Sequence, residues 1–163
     1  MQALNSIPAF NQRTEVFPNV MKQLEQLLTG EPSLIANMAN SAALIHNAFQ
    51  FHWTGFYIVR NTQLVLGPFQ GPVACTRIAK GKGVCGSSWQ QKCILNVPNV
   101  EQFPGHIACS PQSKSELVIP ILRNEEVIAV LDIDSEFPGH FDVHDESFFS
   151  EVAELIVKYS HES

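Results

Sequence analysis

The sequence predicts an α+β fold, a mainly antiparallel sheet with the N- and C-terminal helices packed on one face, and three observations carry that prediction. Apolar residues recur at helical spacing near both ends of the chain. Short aromatic and β-branched runs fill the middle, and turn signals join several of them as hairpins. At 163 residues the chain has the size of one domain, read here as 1–163 with a core over about 17–159.

Taken in order, residues 18–28 place Val20, Met21, Leu24, Leu27 and Leu28 on one helical face, and Gly30 ends the helix. Ser33 caps a second helix carrying Leu34, Ile35, Met38, Ala42 and Ile45, which ends near His46. Residues 53–59 read as a strand, Asn61 and Thr62 as a turn, and residues 63–66 as the returning strand. Residues 73–78 read as a further strand. Gly81 and Gly83 precede a short helix over about 84–91, and residues 93–97 read as another strand. Residues 98–111 are loop-like, with Pro104-Gly105 as the clearest breaker. The apolar runs 117–122 and 127–133 flank Arg123-Asn124-Glu125-Glu126 as a hairpin. Asp142 then opens a terminal helix that aligns Phe148, Phe149, Val152, Leu155, Ile156 and Tyr159.

Composition excludes several classes of function. A formal charge of −6 without a Lys/Arg cluster argues against a nucleic-acid backbone as partner. Lys80 and Lys82, with Arg77 nearby, form only a local loop feature. No apolar run reaches the ~18–20 residues needed to span a bilayer. Residues 1–10 carry no secretory pattern, so the expected compartment is the cytoplasm. Cysteines there are kept as thiols, and a disulfide tends to be transient and catalytic.

The four cysteines, at 75, 85, 93 and 109, are separated by ten, eight and sixteen residues. No C-x2-C pair is present to pinch a zinc ion, so no metal is expected. Cys75, Cys85 and Cys109 each have small neighbours that leave a sulfur approachable. Cys93, between Lys92 and Ile94, reads as a core or half-buried thiol. Cys85 opens a helix, where the macrodipole favours thiolate. Cys109 follows His106 in a loop that could carry it to a partner.

Three acids interrupt apolar runs. Glu116 precedes Leu117-Val118-Ile119, and Asp132 and Asp134 flank Ile133, so strand alternation puts both aspartates on one face. Glu116 could lie across the hairpin from them. Such a cluster reads either as a solvated strand edge or as a pocket that binds an ammonium group and keeps one carboxyl protonated as an acid. Trp53 and Tyr57 share a strand face, and Phe56 points the other way. The pair reads as core or as an aromatic wall suited to a methyl-sulfur group.

Several runs together are similar to one family, the free methionine-(R)-sulfoxide reductases, which are GAF domains. They are Gly67-Pro68-Phe69-Gln70-Gly71-Pro72-Val73-Ala74-Cys75-Thr76-Arg77-Ile78, Gly81-Lys82-Gly83-Val84-Cys85-Gly86, Phe103-Pro104-Gly105-His106-Ile107-Ala108-Cys109, Ser115-Glu116-Leu117-Val118-Ile119-Pro120 and Leu131-Asp132-Ile133-Asp134-Ser135. The resemblance implies that Cys109 attacks the sulfoxide and that Cys75 closes a disulfide on it. Cys85 occupies a third motif position and remains an alternative nucleophile. Glu116, Asp132 and Asp134 match carboxylates that hold the substrate and protonate its oxygen, while Trp53 and Tyr57 match the aromatic side of the pocket. Ser110 stands where many relatives have Asp, and Cys93 is extra to the pattern. The implied enzyme uses no bound cofactor. It takes free methionine sulfoxide, draws on thioredoxin or a similar dithiol, and could form a homodimer. Two other readings are a GAF module that senses a small ligand and a protein whose cysteines report oxidant.

Overall fold

A computed structural model describes residues 12–106 and 109–162. Residues 1–10, read above as carrying no secretory pattern, and Ile107-Ala108 of the motif before Cys109 lie outside the described residues. The elements run α1 (Arg13–Leu28), α2 (Leu34–Phe49), β1 (Trp53–Arg60), β2 (Gln63–Gln70), β3 (Arg77–Ala79), α3 (Gly83–Gln91), β4 (Leu95–Val97), β5 (Ser115–Arg123), β6 (Glu126–Ser135) and α4 (Val143–Tyr159), with a 3-10 turn at Val100–Gln102 before β5. The strands make one six-stranded sheet in the order β3-β2-β1-β6-β5-β4, and every neighbouring pair is antiparallel. No helix among the described residues is long and apolar enough to cross a membrane.

Side-chain alternation divides the sheet into two unlike faces. Phe56, Leu117, Ile119, Ile121, Leu131 and Ile133 turn one way and pack under α1, α2 and α4 in the main core. Both terminal helices therefore lie on one face, as the sequence predicts. Trp53, Tyr57, Val118 and Val130 turn the other way, toward α3 and the long loops.

Several element ends depart from expectation. α1 begins at Arg13 and continues through Pro18. Proline forfeits one helical hydrogen bond, but the Arg13 guanidinium pins the first turn: its Nε lies 3.0 Å and its Nη2 2.6 Å from the Asp145 carboxylate on α4. α2 runs on to Phe49, where Gln50 turns into the left-handed region and its N–H reaches the His46 carbonyl. The strand expected over 73–78 shrinks to Arg77–Ala79, because β2 extends to Gln70 and the chain then loops out through Gly71, whose φ is +132°. Cys93 is exposed, which corrects its reading as a core thiol. Lys92 caps α3 in the left-handed conformation, and Cys93 falls in the turn before β4 begins at Leu95.

Candidate active site

On the face away from the main core, register lines the acids up. Glu116 on β5 sits opposite Asp134 on β6, and Asp134 in turn opposite Trp53 on β1. One step along, Asp132 faces Gly55, which has no side chain to fill the space beside it. A Cβ at Gly55 would lie within 2.7 Å of the Trp53 ring and closer still to Phe69. Only glycine there lets the indole lie across the strand. Trp53 stacks with Tyr57 and Phe69, centroids 5.9 and 5.2 Å apart, and the aromatic wall expected from the sequence is present.

Like charges facing each other across strands repel, and burial makes that repulsion severe. Glu116 and Asp132 are each 6% exposed. Burial, and then the charges of Asp132 and Asp134, push the Glu116 carboxyl well above the ordinary carboxylate range. Burial and Asp132 do the same to Asp134, although its Oδ1 accepts a 2.7 Å hydrogen bond from the Ser113 hydroxyl. Asp132 is raised to about 6, by burial. All three carboxyls are thus held above their ordinary range by burial and by one another, so the cluster retains protons that isolated acids would release. Asp132 Oδ1 is buried without a hydrogen-bond partner among the described residues, an acceptor left for something that enters the pocket. The reading of a solvated strand edge is set aside.

The cysteines sort themselves around this cluster. Cys75 and Cys109 are joined in a disulfide, with their Cα atoms 5.7 Å apart and a separation of 34 positions in the chain. Cys75 sits in the loop after β2 and Cys109 in the loop before β5, so the bridge joins the two loops, and its Cys109 end lines the pocket. Cys85 lies on the pocket wall as a free, buried thiol, its Sγ 3.8 Å from Glu116 Oε1. Burial, followed by the charges of Asp132, Glu116 and Asp134, drives that thiol upward, the reverse of the thiolate expected at a helix start. A helix terminus offers at most ~2 kcal/mol, and here it faces full desolvation beside three acids. With two cysteines bridged and Cys93 on the surface, the four sulfurs do not converge as a zinc site would require. Cys85, Glu116 and Asp132 do bring donor atoms within 4.8 Å of one another, a set able to surround a cation.

Cys109 and the acids line one cavity, and the disulfide ties Cys75 to its edge. Cys109, Cys85, Glu116, Asp132, Asp134, Trp53 and Tyr57 all line it, and Ala74 brings the Cys75 loop to the same rim. His52, Lys82 and Ser113 line it as well, and sequence reasoning did not single out His52 or Ser113. His106 is held below its usual range by burial, so its Nε2, 3.9 Å from Glu116 Oε2, faces that carboxyl as a neutral imidazole. The Cys75 loop is fixed from beneath: Trp53 Nε1 donates to the Pro72 carbonyl at 3.0 Å, and the Tyr57 hydroxyl donates to the Cys75 carbonyl at 2.9 Å.

A helix-backed antiparallel sheet with a loop-covered pocket on its other face defines a GAF domain, and the description "GAF domain" matches residues 12–158. The chain is 51% identical over 145 residues to GAF domain-containing protein A of Dictyostelium discoideum, covering 88% of this chain and 92% of that one. It is 41% identical to the free methionine-R-sulfoxide reductase of Escherichia coli, covering 82% of each. The solved structure of free methionine-R-sulfoxide reductase from Neisseria meningitidis in complex with its substrate superimposes with a TM-score of 0.88 at 42% identity, over 90% of this chain and 89% of that one. The chain belongs to the GAF family and, within it, to the free methionine-R-sulfoxide reductases, an oxidoreductase group. The relatives named here for an activity are reductases, and the sensor readings are not supported.

Proposed function

We propose that this chain reduces free methionine (R)-sulfoxide with Cys109 as nucleophile, Cys75 as resolving thiol and the Glu116–Asp132–Asp134 cluster as substrate anchor and proton source. The observation that carries this reading is the Cys75–Cys109 disulfide at the edge of a pocket floored by buried acids.

Oxide is a poor leaving group, so thiolate attack at the sulfoxide sulfur requires a proton on the departing oxygen. Glu116 and Asp134, both held well above the ordinary carboxylate range, are suited to supply one. Attack forms an Sγ–S bond as the protonated oxygen departs from the substrate sulfur; addition of that oxygen to Cys109 Sγ breaks the Sγ–S bond, leaving a sulfenic acid and releasing methionine with its sulfur reduced by two electrons. The Cys75 thiol then displaces water from the sulfenic acid, which leaves the disulfide. Two electrons and two protons from an external dithiol such as thioredoxin reopen it, and no bound cofactor is required. Asp132, with its unpartnered oxygen, would receive the substrate's ammonium. A peptide-bound methionine has an uncharged amide there, which accounts for selection of the free amino acid. Trp53 and Tyr57 would flank the methyl-sulfur group. Cys85, uncharged among the acids, is assigned to the wall of the pocket. The reading extends to one catalytic domain over 1–163 acting in the cytoplasm, alone or as a homodimer.

A free-thiol count before and after one equivalent of each sulfoxide epimer tests the proposal. Two thiols should disappear with the R epimer only, and Cys75 and Cys109 should be the ones lost. Cys109→Ser should abolish methionine formation in a single turnover, and retained turnover would overturn its role. Cys75→Ser should complete one turnover and then recycle slowly with a thioredoxin system; unaltered recycling would move the resolving role to Cys85.

A further inference from the structure

His52, a half-buried residue between α2 and β1, belongs to no motif and touches the loop that carries Cys109. Its Nε2 lies 2.9 Å from the Ser110 hydroxyl. That hydroxyl spends its own hydrogen on Gln112 Oε1, 3.2 Å away, so it accepts from the His52 ring. On the other side of the ring, Nδ1 lies 3.4 Å from Glu136 Oε1, an ion pair whenever the imidazole is protonated. Glu136 follows β6 directly, Ser110 follows Cys109 directly, and His52 precedes β1 directly. Three separate loops therefore meet on one imidazole.

The neighbouring residues of β1 do the same for the opposite cysteine. Trp53 and Tyr57 hold the carbonyls of Pro72 and Cys75, as described above. One short stretch, from His52 to Tyr57, thus fastens both arms of the disulfide. One arm is anchored by two donors from the strand, the other by the histidine immediately before it.

We infer that His52 is a positioning residue that holds the Cys109 loop through Ser110 and so sets how readily Cys109 pairs with Cys75. A loop free to swing dilutes Cys109 relative to Cys75, and a loop tied at the adjacent residue does not. The inference rests on the Cys75–Cys109 pair being redox-active and is independent of which sulfoxide the pocket accepts.

The test is a thiol–disulfide equilibrium of the full chain in glutathione buffers. Two protein thiols and one glutathione disulfide exchange to the Cys75–Cys109 disulfide and two glutathione thiols, and quenched samples are alkylated and measured by mass spectrometry. Ser110→Ala and His52→Ala should each lower the equilibrium constant about fivefold, the worth of one hydrogen bond. That is about 20 mV toward easier reduction. Glu136→Gln, at an exposed position, should lower it about twofold. Ser110→Thr keeps the hydroxyl and should stay within twofold of the parent. An unchanged constant in Ser110→Ala, or equal losses in the Ala and Thr variants, would overturn the role of the hydroxyl contact. A parent chain that forms no Cys75–Cys109 disulfide in any buffer would overturn the thiol relay, and this inference with it.

Discussion

The two faces of the central sheet are made by the same strands and do opposite things. Along β6, Leu131 and Ile133 point into the helix-covered core, while Asp132 and Asp134, the residues beside them, point into the pocket. Along β5, Leu117 joins that core and Glu116 joins the acids. One face gains free energy with each apolar residue it buries. The other buries carboxyls that repel one another and an acceptor that nothing among the described residues satisfies. The contrast teaches that the pocket is tolerated because the opposite face of the same strands is packed so thoroughly.

Cutting into each face should sharpen that division. Phe149→Ala removes a fully buried ring that lies against Phe49, Phe51 and Phe148, and should cost about 3–5 kcal/mol in denaturant unfolding while the thiol chemistry of any folded fraction persists. Asp132→Asn should do the reverse, with turnover falling by two orders of magnitude or more and the fold becoming more stable at pH 7.

The sign follows from proton binding. Asp132 in the folded chain holds its proton up to about pH 6, against an ordinary 3.8. Between those values the unfolded chain binds fewer protons than the folded one, so this group's contribution to stability is full below about pH 4 and declines as pH rises to about 6. Glu116 and Asp134, shifted in the same direction, add to the decline with rising pH. Thermal unfolding across pH 4–8 should show this slope in the parent and a shallower one in Asp132→Asn. Cys93→Ser makes the smallest change, since an exposed thiol outside the pocket should alter neither turnover nor unfolding midpoint measurably.

Much of this organisation was legible in the sequence, for physical reasons specific to each part. Alternation in Val130-Leu131-Asp132-Ile133-Asp134 forces both aspartates to one side, and a plain hairpin places Glu116 opposite Asp134. Helical spacing in the terminal segments locates the covered face. What local pattern missed depends on partners distant in sequence. Cys85 sits at a helix start, but the acids that reverse its ionisation arrive from β5 and β6, about thirty and fifty residues later. Residues 73–76 have strand-like composition, yet the carbonyls at 72 and 75 are taken by the side chains of Trp53 and Tyr57, partners some twenty residues earlier that no local pattern reveals. Nothing in the chain around His52 hints that Ser110 and Glu136 will meet there, since only the closed fold brings those three loops together.

The bond between Cys75 and Cys109 also closes a covalent ring, and α3 and β4 lie inside it. By the loop-entropy relation, tying off about 34 residues restricts the unfolded chain by roughly 3–4 kcal/mol. Each catalytic round would therefore fasten and release a staple at the edge of the pocket. An enzyme starved of reductant would stall in its hardier form, inactive but better protected against heat and proteolysis until thiols return.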